Sequence, residues 1–440
     1  MGTENIIFLL LFLIAFTLFF RNATKIKRNI FLGKKVIPEG SKSARLKTML
    51  KVALGQSKMT VKPVAGILHI LVYAGFVIIN LEMLEIVIDG IFGTHRIFSF
   101  AGSFYNSLIA SFEVLALMVL VSCLIFFIRR NLLKLSRFRK PELNGWPRND
   151  ANLILITEVF LMSAFLIMNA ADATLQQQQV QHYVQSGCFP VSSLFASSFI
   201  GLDTSTLIFI ERFCWWFHIV GILVFLNYLP YSKHLHIILS FPNTYFSKLK
   251  PKGELNNMES VTREVKLMLD PEANPYASQP DSASQTPERF GAKDVFDLNR
   301  IQLLNAYSCT ECGRCTSECP ANNTGKKLSP RKIMMDVRDR LEEVGKGIDK
   351  HGSDYRDEKT LSGNYISEEE ILACTTCNAC TQACPINIDP LSIIIELRRN
   401  LLMEESKAPA EWAGMLTNIE NNGAPWQFSQ ADRLKWSEEN

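Results

Sequence analysis

Lysine and arginine are nearly missing from two stretches of this 440-residue chain: Asp89–Ser103 holds only Arg96, and Ala173–Thr206 holds none. Cysteine is scarce in the first two thirds, with three of eleven before residue 309, which excludes a disulfide-stapled secreted module. No basic residue precedes the first apolar run, and no small-residue cleavage site follows it. That argues for an anchor helix and against a signal peptide. The bulk composition, 48% hydrophobic and 20% charged, excludes a disordered chain. A formal net charge of +3 conceals two unlike parts, +10 over residues 1–240 and −7 over residues 241–440. A single uniform globule is therefore excluded as well.

What is present in the first part is apolar length. Runs at Asn5–Phe20, Val64–Ile88, Phe104–Ile128, Ala151–Ala171 and Leu207–Tyr231 predict five membrane spans, since a helix needs about 20 apolar residues to cross the hydrocarbon core. The first run is short for that task. The connections Arg21–Pro63 and Arg129–Asp150 hold twelve and seven Lys/Arg, against the single Arg96 in the alternate loops. This asymmetry predicts an N-terminus outside and everything after the fifth span in the cytoplasm. The basic excess is then topological and gives no argument for nucleic acid. Polar residues within the spans, among them His69, Asn80, Glu82 and His218, are expensive in lipid and expected to face the bundle interior.

Asp270–Pro287 is rich in Pro, Ser, Gln and Asn and is expected to be an exposed linker. The second part then carries Cys309-x2-Cys312-x2-Cys315-x3-Cys319-Pro320, repeated as Cys374-x2-Cys377-x2-Cys380-x3-Cys384-Pro385. This is the ligand run of bacterial two-cluster ferredoxins, in which the fourth cysteine serves the other cluster. The expectation is one [4Fe–4S] cluster on Cys309, Cys312, Cys315 and Cys384, and a second on Cys374, Cys377, Cys380 and Cys319. Zinc is disfavoured, because four cysteines at this spacing with a trailing proline occur twice. Ser329-Pro330 and Asp389-Pro390 each open an amphipathic helical run, over Arg331–Val344 and Leu391–Met403. The 54 residues between Cys319 and Cys374 are too many for the compact strand-containing ferredoxin, so an all-helical domain is predicted. Cys123, Cys188 and Cys214 read as small packing residues, with a Cys188–Cys214 disulfide as the alternative.

Histidine depth and phase suggest a haem. His69 lies early in the second span, and His236 follows Pro230 at the end of the fifth. Both sit toward the cytoplasmic side, where they are expected to hold one haem b axially. His218 and His236 are 18 residues apart, about 27 Å and five whole helical turns, so His218 shares the face but not the haem. On the same phase His234 points nearly opposite, toward the headgroups.

Two resemblances follow from these residues. Residues 64–240 resemble the gamma subunit of respiratory nitrate reductase and the cytochrome b subunit of heterodisulfide reductase, most clearly from Trp216-Phe217-His218 to Leu229-Pro230-Tyr231-Ser232-Lys233-His234-Leu235-His236. The resemblance implies that His218, His236 and His69 match haem ligands, whereas Ile79 stands where a fourth histidine is expected. It therefore implies one haem and leaves the outer site incomplete. Residues 290–440 resemble the iron–sulfur subunit of heterodisulfide reductase and the helical ferredoxin domain of succinate dehydrogenase, through Tyr307-Ser308-Cys309-Thr310-Glu311-Cys312-Gly313-Arg314-Cys315. Such fusions imply a cytoplasmic redox partner, a protein with CCG repeats or a flavoprotein; no adjacent cysteine pair is present in this chain.

The expected fold is all-α: an anchor and basic loop (1–63), a four-helix cytochrome b-like membrane domain (64–240), a linker (241–289), a cytoplasmic dicluster ferredoxin domain (290–410) and a tail (411–440) for partner docking. The expected function is electron transfer between that partner and the quinone pool, in the inner membrane of a bacterium or archaeon. His218, Asn80 and Glu82 are candidates at the quinone head. The alternatives are a haem-free membrane-anchored ferredoxin and a redox sensor.

Overall fold

The computed structural model describes residues 2–133, 135–272 and 289–438. Among the described residues five helices are long and apolar enough to cross a membrane: α1 (Thr3–Phe31), α2 (Pro63–Phe92), α3 (Ser103–Asn131), α4 (Trp146–Gln177) and α5 (Thr204–Tyr228), the last extended to Tyr231 by a 3-10 turn. The first apolar run is short, but its helix is not. α1 is 29 residues long and runs on through the basic segment that follows the run, where Ile26 and Ile30 are buried in a second core.

At the far end of the bundle, Phe8 of α1 packs with Ile86, Trp215 and Phe112 in one apolar core. At its other end α1 leaves that core and joins a second. Ile26 and Ile30 are buried together with Leu229, Leu235, Leu303, Ile333 and Leu397. The membrane bundle and the cysteine-bearing domain thus share a single hydrophobic interior at their junction. Polar pins fix it: Lys25 Nζ reaches Asp349 at 2.7 Å, Arg28 pairs with the same carboxylate, and Asn29 donates to the Tyr307 hydroxyl at 2.9 Å.

Pro230 resets the end of the fifth span. Two 3-10 turns, Leu229–Tyr231 and Lys233–Leu235, separate α5 from α6 (His236–Tyr245), since proline supplies no N–H to continue the ladder. Within the stretch expected to be a linker, α6 therefore runs to Tyr245, and Glu259–Leu269 forms an exposed helix. Most of the Asp270–Pro287 segment lies outside the described residues.

The cysteine-bearing domain is helical, as its pattern predicts. α7 (Arg300–Ser308) leads into the first cysteine run. α8 (Pro330–His351) and α9 (Pro390–Arg399) start at the two predicted proline positions. Ser329 Oγ accepts from the Lys332 N–H at 3.4 Å and Asp389 Oδ1 from the Ser392 N–H at 3.1 Å, capping both helices. Among the described residues β-pairing is limited to two isolated bridges, Lys34 with Asn299 and Ser362 with Ile366.

Candidate redox centres

The two cysteine runs fold into the same loop. Glu311 and Gly313 have φ of +55° and +74°, and Thr376 and Asn378, at the equivalent places, have +56° and +61°. Alternation into the left-handed region turns successive N–H groups inward, the backbone arrangement that cradles anionic clusters. Cys309, Cys312 and Cys315 line one cavity, and the fourth thiol there is Cys384 from the second run. Arg314, Arg331, Met334, Ile386 and Ile388 complete its wall. Cys374 in turn lies near Cys319 and Cys377, and Cys380 near Cys374. The fourth cysteine of each run thus lies with the first cysteines of the other.

Chemically the donor sets fit iron–sulfur clusters. All eight cysteines are free thiols. Burial, reinforced by neighbouring thiols, pushes Cys309 up to about 12, and burial pushes Cys380 up to about 12 and Cys384 up to about 11. Thiolates so close together require an interposed positive charge, which iron supplies. The Ile388 N–H donates to Cys384 Sγ at 3.3 Å and the Thr376 N–H to Cys374 Sγ at 3.4 Å, as cluster sulfurs commonly receive. The remaining cysteines, Cys123, Cys188 and Cys214, are also free, so the alternative disulfide is not formed.

The surroundings of the two loops differ. In the first loop Glu311 is 4% exposed and pairs with Arg338 at 2.8 Å and with Lys233. Burial alone would raise its carboxyl, but Arg338 and Lys233 outweigh that and hold it below its usual range. Lys233 also donates to the Pro147 carbonyl at 2.6 Å. Arg314, also buried, donates to the Lys58 and Met59 carbonyls at 3.1 and 3.2 Å, just ahead of α2. Arg331 bridges to Glu142 at 2.7 Å, between α3 and α4. In the second loop Cys377 is exposed and Cys374 half-buried.

His69 and His236 come together where the first loop meets the bundle, with ring centres 6.5 Å apart. Two imidazoles on opposite sides of one metal, each bound at roughly 2.0 Å, place their centres about 6 to 6.5 Å apart. His236 Nδ1 donates to the Lys233 carbonyl at 3.1 Å, which leaves Nε2 as the ligating nitrogen. His69 Nδ1 is buried with no partner, an orphan of the kind that marks a missing group. The two rings are therefore spaced as a pair that would hold one haem iron. His234 does not point away: its ring lies 5.4 Å from that of His236 and 5.4 Å from Phe225. The phase argument fails because the 3-10 turns after Pro230 break the helical register between positions 218 and 236. Burial and the neighbouring histidines hold His234 at about 3, as a neutral ring.

The other sequence candidates scatter. His218 is buried in the bundle and its Nδ1 donates to the Leu161 carbonyl at 3.0 Å. Asn80 is exposed on the lipid face and hydrogen-bonded to the Phe76 carbonyl of its own helix. Ile79 is buried in the bundle core. Glu82 alone lines a cavity, at the end of the bundle away from the cysteines. His95, Arg96, Asp172 and His182 join it there. Nothing in the sequence groups these four; the one signal is Arg96, alone in two loops otherwise free of lysine and arginine.

Residues 308–388 match the 4Fe-4S dicluster domain family. Over 93% of its length the chain is 28% identical to the probable iron-sulfur-binding oxidoreductase FadF of Bacillus subtilis, covering 57% of that protein. It is likewise 28% identical over 93% of its length to the EtfAB:quinone oxidoreductase of Syntrophomonas wolfei, covering 56% of it. Over 27% of its length it is 29% identical to one subunit of the ferredoxin/F(420)H(2)-dependent CoB-CoM heterodisulfide reductase of Methanosarcina acetivorans, covering 60% of that protein. The chain spans about half the length of the two long relatives. No solved structure matches it. The homologues are thus iron–sulfur oxidoreductases and their subunits, and the dicluster domain is shared with them.

Proposed function

We propose that this chain carries electrons between a soluble redox partner and the quinone pool, through two [4Fe–4S] clusters and one haem b. Cys309, Cys312, Cys315 and Cys384 hold the cluster nearer the membrane. Cys374, Cys377, Cys380 and Cys319 hold the one nearer solvent, and His69 and His236 hold the haem. These groups supply one-electron chemistry at three positions, while the protein fixes their order and their access to water.

The observation that carries this reading is the docking of the first cysteine loop on the segment that bears the histidines. Lys233 pairs with Glu311 in that loop and offers its carbonyl to His236. Arg314 ties the same loop to the residues that lead into His69. The exposure of Cys377 favours the second loop as the partner's port. The lysine and arginine asymmetry favours a cytoplasmic cluster domain. A quinone and EtfAB both stand in the name of the Syntrophomonas relative, which favours a quinone as one redox partner and a flavoprotein, ahead of a CCG-repeat protein, as the other.

Purified full-length protein should contain one haem and, besides the haem iron, about eight irons per chain, as two cubanes require. His69→Ala should abolish the haem absorbance and leave the iron content of the clusters unchanged, whereas His218→Ala should keep both. Clusters without haem in the wild-type protein would reduce it to a membrane-anchored ferredoxin.

A further inference from the structure

The two cysteine runs and the helices after them form a repeat, so their residues can be compared position by position. Arg314, just before the third cysteine of the first run, is matched by Ala379 in the second. Arg331, the second residue of α8, is matched by Leu391 of α9. Ser329, which caps α8, is matched by Asp389, which caps α9. Each of these differences makes the first site more positive or the second more negative. Glu311 against Thr376 runs the other way, but Arg338 and Lys233 both pair with that carboxylate and offset it.

Both arginines face the first cysteines. They line one cavity with Cys309, Cys312, Cys315 and Cys384, and Arg331 is 0% and Arg314 5% exposed. A Cβ on Gly313 would lie 2.5 Å from Arg331 Nη1, so that guanidinium rests against the backbone between Cys312 and Cys315. Its hydrogen bonds go to the Arg137 carbonyl at 2.8 Å and to Glu142 at 2.7 Å. Arg314 has neutral acceptors: the Lys58 carbonyl at 3.1 Å, and the Met59 carbonyl and sulfur, each at 3.2 Å. Among the described residues no carboxylate pairs with it. A guanidinium keeps its proton, and a buried charge without a counter-charge is costly. The anion placed to serve is the cluster that four thiolates hold in this cavity.

The second site is balanced differently. Arg398, half-buried, donates to the Ile371 and Cys374 carbonyls at 2.8 and 2.7 Å. Against it stands Asp389, whose Oδ1 accepts from the Thr381 hydroxyl, next to Cys380, at 3.1 Å. A cluster becomes more negative by one charge when it takes an electron, so fixed positive charge nearby stabilises the reduced form and raises the potential. Water that reaches the exposed Cys377 acts in the same direction on the second cluster. The two guanidiniums outweigh it, because they touch the first site through a buried interior, where charges interact more strongly than through water.

We propose that Arg314 and Arg331 set the first cluster at a higher potential than the second, given the two clusters assigned above. The cluster beside the bundle then takes the first electron and keeps it. The exchange is a single electron leaving the second cluster and entering the first, with no bond made or broken. A chain loaded with one electron therefore stores it at the buried site, away from the exposed Cys377. Both arginines act on the cluster through space, as tuning residues, and neither is a ligand.

The test is a potentiometric titration of the full-length protein in detergent, followed by paramagnetic resonance. The two signals are assigned by their loss in Cys384→Ser and in Cys319→Ser. In the wild-type protein the first cluster should titrate about 59 mV or more above the second, a tenfold difference in the ratio of oxidised to reduced form. Arg314→Gln and Arg331→Gln should each lower the first wave by about 59 mV, again tenfold, and leave the second in place. Arg314→Lys, which keeps the charge, should restore most of that shift, an outcome that a packing role does not predict. Glu142→Gln strips Arg331 of its counter-charge and should raise the first wave, so the effect is read with the opposite sign even if a glutamine variant at an arginine loses its cluster. A first cluster that titrates at or below the second, or that stays unmoved in these variants, would overturn the tuning while leaving the electron-transfer function standing. Wild-type protein lacking one of the two signals would instead overturn the cluster assignment itself.

Discussion

Glu311 and Thr376 occupy the same position in two loops of the same left-handed backbone, and their surroundings are opposite. The first is buried and clamped between Lys233 and Arg338; the second lies beside an exposed cysteine. Arg314 reaches from the first loop to the carbonyls ahead of α2, whereas its counterpart in the second loop is Ala379, which has nothing to reach with. The cysteine spacing sets the ligand chemistry equally in both. The residues between the cysteines decide which loop docks on the bundle and which keeps an exposed cysteine.

The largest effect should come from breaking the exchange of cysteines between the runs. Cys384→Ser lies in the second run, yet it should remove the membrane-side cluster, and Cys319→Ser the solvent-side one, each lowering iron by about half. Paramagnetic resonance of the reduced variants would show which signal is lost. Loss of the solvent-side signal in Cys384→Ser would break the pairing proposed here.

A smaller effect tests the docking. Glu311→Ala leaves the half-buried Lys233 and Arg338 with only their longer contacts to Asp150 and Asp339, a change that costs about 3 kcal/mol. Thr376→Ala, at the matching place, should stay within about 1 kcal/mol. Thermal melts of the two variants measure the contrast directly. Equal melting temperatures would remove the distinction between the loops.

The smallest effect is a pH dependence at Glu142, which joins the loop between α3 and α4 to Arg331. Burial would raise this carboxyl, but the hydrogen bond from Arg331 outweighs it and holds it below the ordinary 4.5. A carboxyl depressed by folding stabilises the docked state above its unfolded pKa. That contribution is lost as pH falls below about 4.5 and through the lower folded value. Protection factors at the start of α8, taken against the intrinsic exchange rate at each pH, should therefore fall on acidification, and Glu142→Gln should remove that dependence.

Much of the architecture is legible in the chain. Apolar runs near 20 residues admit one structure in lipid, and proline after a capping Ser329 or Asp389 fixes where a helix starts. Both signals are local. The features that escape the sequence depend on contacts with other elements. α1 outlasts its apolar run because Ile26 and Ile30 find a second core, and His234 turns inward because Pro230 interrupts the ladder on which the phase rests.

The sequence by itself therefore determined the five long helices, the helical dicluster domain and the identity of the eight cysteines, because spacing and hydropathy act through the backbone alone. Only the tertiary structure decided that the first cysteine loop docks on the bundle, that His234 turns in beside His236, and that Glu82 and His95 share a cavity. Most of these are meetings of residues far apart in the chain. Helix packing creates them, and no local pattern records which faces will touch.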